Sequence, residues 1–128
     1  MKTILLLRHA KSAWNAPGLS DHDRPLNRRG EKSARAMAEH LVGRSPHPDL
    51  ILCSTATRAR QTLAPVVDLL TPTPPISLEK GLYLAPEDIL LARLRDLPPE
   101  VGTVLLVGHN DGIWQLAEAL AGRGKASS

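Results

Sequence analysis

Aromatic side chains are nearly missing from this sequence: it has two Trp, one Tyr and no Phe in 128 residues. That scarcity removes the stacking platform on which single-stranded nucleic acid is held. The core must then come from Leu, Ala, Val and Ile, within an apolar fraction of 42% that is ordinary for a globular chain. Cysteine is reduced to Cys53. A lone thiol in an apolar run forms no intramolecular disulfide and fits a reducing compartment. Long hydrophobic runs are lacking as well. Met1 to Leu7 carries one Lys and a run of only four Ile and Leu residues before Arg8, too short for a signal-peptide core or a membrane span. These absences predict a soluble, cytoplasmic protein that binds neither membrane nor nucleic acid. The formal charge of +3 points to an anionic partner, yet it comes from scattered Arg and not from a basic run.

The length suits one domain, expected over residues 1–121, with 122–128 as a flexible tail. Ile4 to Leu7 is a short continuous apolar run, the pattern of a strand buried on both faces. A polar loop with Pro17-Gly18 and Arg24-Pro25 follows. Gly30 to Val42 then places Ala34, Met37, Ala38, Leu41 and Val42 on one helical face, with Gly43 as the stop. Leu50 to Cys53 is a second buried run. Ser54 or Thr55 is placed to cap a helix from Thr57 to Leu70, which Pro65 should kink or divide. Ile76 to Leu78 is a weak strand candidate. Glu87 to Leu97 reads as a helix with Ile89, Leu90, Ala92, Leu94 and Leu97 inward. Thr103 to Val107 is a clear strand, and Asp111 or Gly112 opens a last helix through Leu120. There is no internal repeat. The alternation of strands and helices predicts an α/β fold with a mostly parallel sheet.

In such sheets ligands bind beyond the carboxyl ends of the strands. Arg8 and His9 follow the first strand. Ser54, Thr55 and then Arg58 follow the second, and Gly108, His109 and Asn110 follow the last. Arginine presents a planar, permanently charged fork that matches phosphate oxygens, and a helix N-terminus adds free N–H groups. A histidine among cations is held neutral and can attack phosphorus, while a second one can donate to the transferring group. A metal reading of the histidines fails on the flanking cations, so no metal and no cofactor is expected. His22, His40 and His47 read as ordinary surface residues.

Four segments resemble the histidine phosphatase superfamily, of phosphoglycerate mutase-like fold. RHAKSAWN (Arg8 to Asn15) looks like its opening motif, RPLNRRG (Arg24 to Gly30) like its next block, STATRARQT (Ser54 to Thr62) like the block with the second phosphate-binding arginine, and VGHND (Val107 to Asp111) like the block with the second histidine. They occur in the family's order over residues 3 to 120. RHAKSAW, the short chain and GLYLAPED (Gly81 to Asp88) are most similar to SixA-type phosphohistidine phosphatases. The resemblance implies a three-layer α/β/α sandwich. It also implies His9 as nucleophile, Arg8 and Arg58 on the phosphoryl oxygens, and His109 stabilising the transferring group. Ser12 and Asn15 match positions near the phosphate in relatives, and Arg24 is either a pocket residue or an exposed turn residue. Trp14 is expected to pack beneath the loop.

The chain also departs from the pattern. Broad-range members protonate the leaving oxygen with a carboxylic acid; Glu79 lies near that place and Asp111 is a weaker candidate, but the covering insertion is missing. An imidazole leaving group needs such an acid less than an alcohol does. The expected substrate is therefore a phosphorylated protein carrying phosphohistidine. A phosphatase of small phosphate esters and a degenerate phosphate-binding module without turnover remain as alternatives. SixA-type relatives continue into a further strand after the last helix, so the sheet is expected to lack one and to expose an edge.

Overall fold

The computed structural model describes residues 2–12 and 18–123. Alternating apolar runs and helical patterns produce β1 (Thr3–Arg8), α1 (Arg28–Arg44), β2 (Leu50–Ser54), α2 (Thr57–Leu69), β3 (Ile76–Glu79), a single 3-10 turn (Lys80–Leu82), α3 (Glu87–Arg95), β4 (Thr103–Gly108) and α4 (Gly112–Arg123). The four strands form one sheet in the order β1-β4-β2-β3, with every neighbouring pair parallel. Parallel pairing puts all the strand C-termini at one end. The register there brings Arg8 beside Gly108, Cys53 beside Val107 and Ser54 beside Glu79.

The two central strands are apolar throughout because helices cover both faces. Ile51, Cys53, Leu105 and Val107 turn toward Ala38 of α1 and Ala59, Leu63 and Val66 of α2. Leu52, Val104 and Leu106 turn the other way, onto Leu90 and Leu94 of α3 and Ile113 and Leu116 of α4. This is the parallel α/β fold that the alternation predicted and the α/β/α sandwich that the resemblance implied, with a core on each side of the sheet.

Several sequence expectations are corrected at the element ends. α1 begins at Arg28, capped by the Asn27 side chain, which accepts from the Gly30 N–H at 2.7 Å, and it continues through Gly43 to Arg44. Met37 lies on its exposed face. Pro65 sits within an unbroken α2; its missing donor falls opposite the carbonyl of exposed Gln61, where water can satisfy it. Neither Ser54 nor Thr55 caps α2: the N-cap is Ala56, with no side-chain cap bond. In α3 Leu90 and Leu94 are buried and Leu91 packs partly against the same core, while Ile89 and Ala92 are exposed. α3 also ends at Arg95, before buried Leu97. β1 is an edge strand among the described residues, so Ile4 to Leu6 are only half-buried. Gly122 and Arg123 belong to α4, and the rest of the expected tail lies outside the described residues.

Candidate active site

The carboxyl end of the sheet gathers the chemistry. The β1–β4 ladder runs one step past β1, with the His9 N–H donating to the Gly108 carbonyl at 3.0 Å. That bond sets His9 beside His109, and their ring centroids are 5.1 Å apart at an interplanar angle of 56°. His9 donates from Nδ1 to the Ala10 carbonyl at 2.7 Å. The proton is thereby placed on Nδ1, and Nε2 carries the lone pair. Burial pushes the His9 pKa below its ordinary value of 6.5, against the raising effect of the Ala10 bond, and Arg58, Arg24 and Arg8 push it further down.

Arg58 enters from the first turn of α2 and is 2% exposed. A guanidinium so buried needs partners, and most come from one residue. Arg58 donates from one terminal nitrogen to the Asp21 carbonyl at 2.6 Å and from the other to the Asp21 carboxylate at 3.0 Å. Asp21 also accepts from Arg24 at 2.8 Å and from the Tyr83 hydroxyl. Tyr83, Arg24 and Arg58, in that order of effect, hold the Asp21 carboxyl far below the usual carboxylate range. The Tyr83 ring fills the space between Arg58, 5.8 Å from its centroid, and His109, 5.4 Å away edge-on.

His109 is itself 2% exposed. Burial first, then Arg58 and His9, press its pKa down to about 4. Its Nε2 meets Ser54 Oγ at 2.8 Å. Two buried polar atoms are left without a partner among the described residues, and both belong to this cluster: Nε of Arg58 and Nδ1 of His109. Buried donors are rarely left unmade without a reason. Both sit where the His9, His109 and Tyr83 rings and the Arg58 guanidinium pack together.

Thr62 ties the two sides together. Its hydroxyl accepts from the Ala10 N–H at 2.9 Å and donates to the Arg58 carbonyl at 2.7 Å, so the loop after β1 cannot move without α2. Gln61 beside it accepts from the Leu26 N–H at 2.8 Å. Gly30 permits a further close approach: a Cβ there would lie 1.9 Å from the Lys11 carbonyl oxygen.

The structure therefore brings together His9, Arg58 and His109. Arg24 is half-buried rather than an exposed turn residue, held against this cluster through Asp21 and the hydroxyl of buried Ser12. Arg8 is exposed and acts on His9 through its charge. Asn15 and Trp14 lie outside the described residues. Glu79 is turned to another use: Arg93 grips both its oxygens at 2.7 and 2.8 Å, Ser77 donates to it, and its pKa is lowered. A general acid needs the opposite shift, so Glu79 does not fit the role considered for it. Asp111 is exposed at the start of α4.

His22 is a correction in the other direction. Far from ordinary surface, it bonds Thr55 Oγ1 at 2.8 Å and meets Tyr83 edge-on at 4.9 Å. Neither Asp21 nor Thr62 carries a site signal of its own in the sequence, and Ser54 reads there as a strand-end residue and candidate helix cap. Tyr83 carried the one usable signal, as the sole tyrosine of a chain almost without aromatics. Among the described residues no three His, Cys, Asp or Glu side chains gather as a metal-ligand set, and no helix is long and apolar enough to cross a membrane.

Paired imidazoles and a buried arginine thus meet at the carboxyl end of a parallel sheet, and sequence comparison gives the family in which they do so. The profile of the histidine phosphatase superfamily (branch 1) matches residues 4–83, and the chain belongs to this family. Among its relatives, an uncharacterised protein of Mycobacterium tuberculosis is 40% identical over 116 residues, which is 90% of this chain and 70% of the relative. The crystal structure of a provisionally named phosphohistidine phosphatase SixA from Agrobacterium tumefaciens is 39% identical. It superposes with a TM-score of 0.88 over 95% of this chain and 79% of its own. A protein histidine phosphatase SixA solved with tungstate is 30% identical, with a TM-score of 0.77 over 88% of this chain and 72% of its own.

Proposed function

We propose that this protein is a phosphohistidine phosphatase that passes the phosphoryl group of a phosphorylated protein through Nε2 of His9, without a metal or cofactor. One observation carries the reading: Nε of Arg58 and Nδ1 of His109 are buried without partners, next to a His9 ring whose bond to the Ala10 carbonyl leaves the lone pair on Nε2. A tetrahedral phosphoryl group satisfies all three at once.

In the first step the Nε2 lone pair of His9 attacks phosphorus. The P–N bond to the substrate imidazole breaks, its electron pair stays on the departing nitrogen, and that nitrogen takes a proton from solvent. Arg58 and His109 donate to the equatorial oxygens as their charge changes. In the second step water attacks the phosphorus on His9 and loses a proton. The bond to Nε2 breaks, the pair returns to the ring, and inorganic phosphate leaves. The first step needs His9 neutral, which its burial and the surrounding arginines favour; in the second the ring, with Nδ1 still protonated toward Ala10, leaves phosphorus as neutral imidazole.

The leaving group is argued from the carboxylates. Asp21 is held ionised by the Tyr83 hydroxyl first and then by Arg24 and Arg58, and Glu79 by Arg93, so neither supplies the proton that an alkoxide needs. A phosphoimidazole manages with solvent, and this supports protein phosphohistidine over a sugar phosphate. The names of the two SixA structures point the same way. The lone buried Cys53, whose thiol pKa burial raises to about 12, suits the reducing cytoplasm and offers no rival nucleophile.

The test compares turnover of a phosphohistidine-bearing protein with that of small phosphate esters, in the wild type and in Glu79→Gln. Faster turnover of phosphohistidine, unchanged by Glu79→Gln, is expected. Preference for an ester, abolished by the same substitution, would establish the small-ester reading instead.

A further inference from the structure

We infer that Ser54 is a positioning residue that fixes the tautomer of His109, so that the ring presents Nδ1–H to the phosphoryl group. The argument is a count of hydrogens. Ser54 is fully buried at the C-terminal end of β2. Its Oγ accepts from the Ala56 N–H at 3.2 Å and lies 2.8 Å from Nε2 of His109. Ala56 can only donate, so one lone pair of the hydroxyl is used. The hydroxyl proton then needs an acceptor, and among the described residues Nε2 of His109 is the group in reach. If Nε2 carried the proton instead, the Ser54 oxygen would face two N–H groups and its own O–H would be stranded in the core, a penalty buried groups avoid.

With Nε2 accepting, the single proton of the neutral ring sits on Nδ1. That nitrogen is the one left buried without a partner. Bare Nδ1 would set a lone pair against a phosphoryl oxygen, whereas Nδ1–H donates to it. The backbone at Ala10 does the complementary work for His9. Both rings thus carry the same tautomer for opposite duties: His9 exposes a lone pair and His109 exposes a donor. Thr55 takes no part, since its hydroxyl is engaged with His22.

The tautomer needs no turnover to be read, although its use in catalysis rests on the phosphatase reading above. Long-range proton–nitrogen correlation on the ligand-free, nitrogen-15-labelled protein at neutral pH should show Nδ1 of His109 protonated and Nε2 bare. A protonated Nε2 in the wild type overturns the inference outright, without reference to any variant. Ser54→Ala should give mixed tautomers and weaken inorganic phosphate binding on the order of tenfold. Ser54→Thr, which keeps the hydroxyl, should retain the wild-type signal. In a His109→Ala background Ser54→Ala should add nothing further to the loss of phosphate affinity. An undiminished loss there would show that Ser54 acts through the fold and not through His109. If the tautomer is as stated but no phosphohistidine is turned over, the assignment of Ser54 stands and the phosphatase reading fails.

Discussion

Asp21 does more at the residue scale than any motif position suggests. It spends its carboxylate and its carbonyl on Arg58, Arg24 and Tyr83. With both terminal nitrogens of Arg58 held by Asp21, Nε is the nitrogen left without a partner, and the proposed mechanism assigns it to the phosphoryl group. Arg58→Ala should cost about 3–4 kcal/mol of transition-state stabilisation, as lost oxyanion donors do, read as kcat/KM. Asp21→Asn keeps the shape but removes the charge, and should lower kcat while the Arg58 side chain loses its fixed orientation. Undiminished kcat in Asp21→Asn would separate Asp21 from the site. No position in the sequence betrayed it: Asp21 sits in a polar loop beside His22 and Asp23, and its partners other than Arg24 lie on α2 and at the end of the 3-10 turn.

The histidines carry the pH dependence. Folding moves His109 from 6.5 to about 4 and lowers His9. The unfolded rings therefore take up protons below pH 6.5 that the folded rings refuse. Stability from this source is full above 6.5 and is lost as the pH falls toward 4. Chemical denaturation should give a lower midpoint at pH 5 than at pH 7, with the fall reduced in His109→Ala. The acid limb of kcat/KM for the free enzyme should lie below pH 6.5. A limb above that value would contradict a neutral, buried His9.

Elements decide which residues can meet. Parallel pairing brings the ends of β1, β2 and β4 together, so His9, Ser54 and His109 converge from distant stretches of chain. Much of this was legible, because buried parallel strands are continuous apolar runs and the residues after them are easily named. What could not be read were the ties between loops. Thr62 and Gln61 look like ordinary helix positions until the β1 loop and Leu26 are seen to rest on them. Glu79 was misread for the same reason. Its place in the chain is suggestive, but Arg93, on the neighbouring α3, decides its protonation. Gly30 and Gly43 make a matched test within α1. A Cβ on Gly30 meets the Lys11 carbonyl, while on Gly43 it meets nothing within 4 Å. Gly30→Ala should destabilise by at least about 2 kcal/mol and impair turnover by shifting the His9 loop. Gly43→Ala should stabilise by roughly 0.5–1 kcal/mol. Thermal unfolding of the two variants checks both signs.

For the whole molecule, the two apolar faces of one sheet bury the core, and the polar chemistry is left to a single end. The chain spans 70% of its mycobacterial relative and 79% of the Agrobacterium protein. Positive charge at that end comes from Arg58, Arg24 and Arg8, with Asp21 as the internal counter-charge. The central claim is that a phosphoryl group rests covalently on His9 between the two steps, and trapping tests it most directly. The protein is mixed with a labelled phosphodonor, quenched and digested. The account predicts an acid-labile, base-stable label on the peptide containing His9, absent from His9→Ala. Label elsewhere, or turnover that survives in His9→Ala, would contradict it.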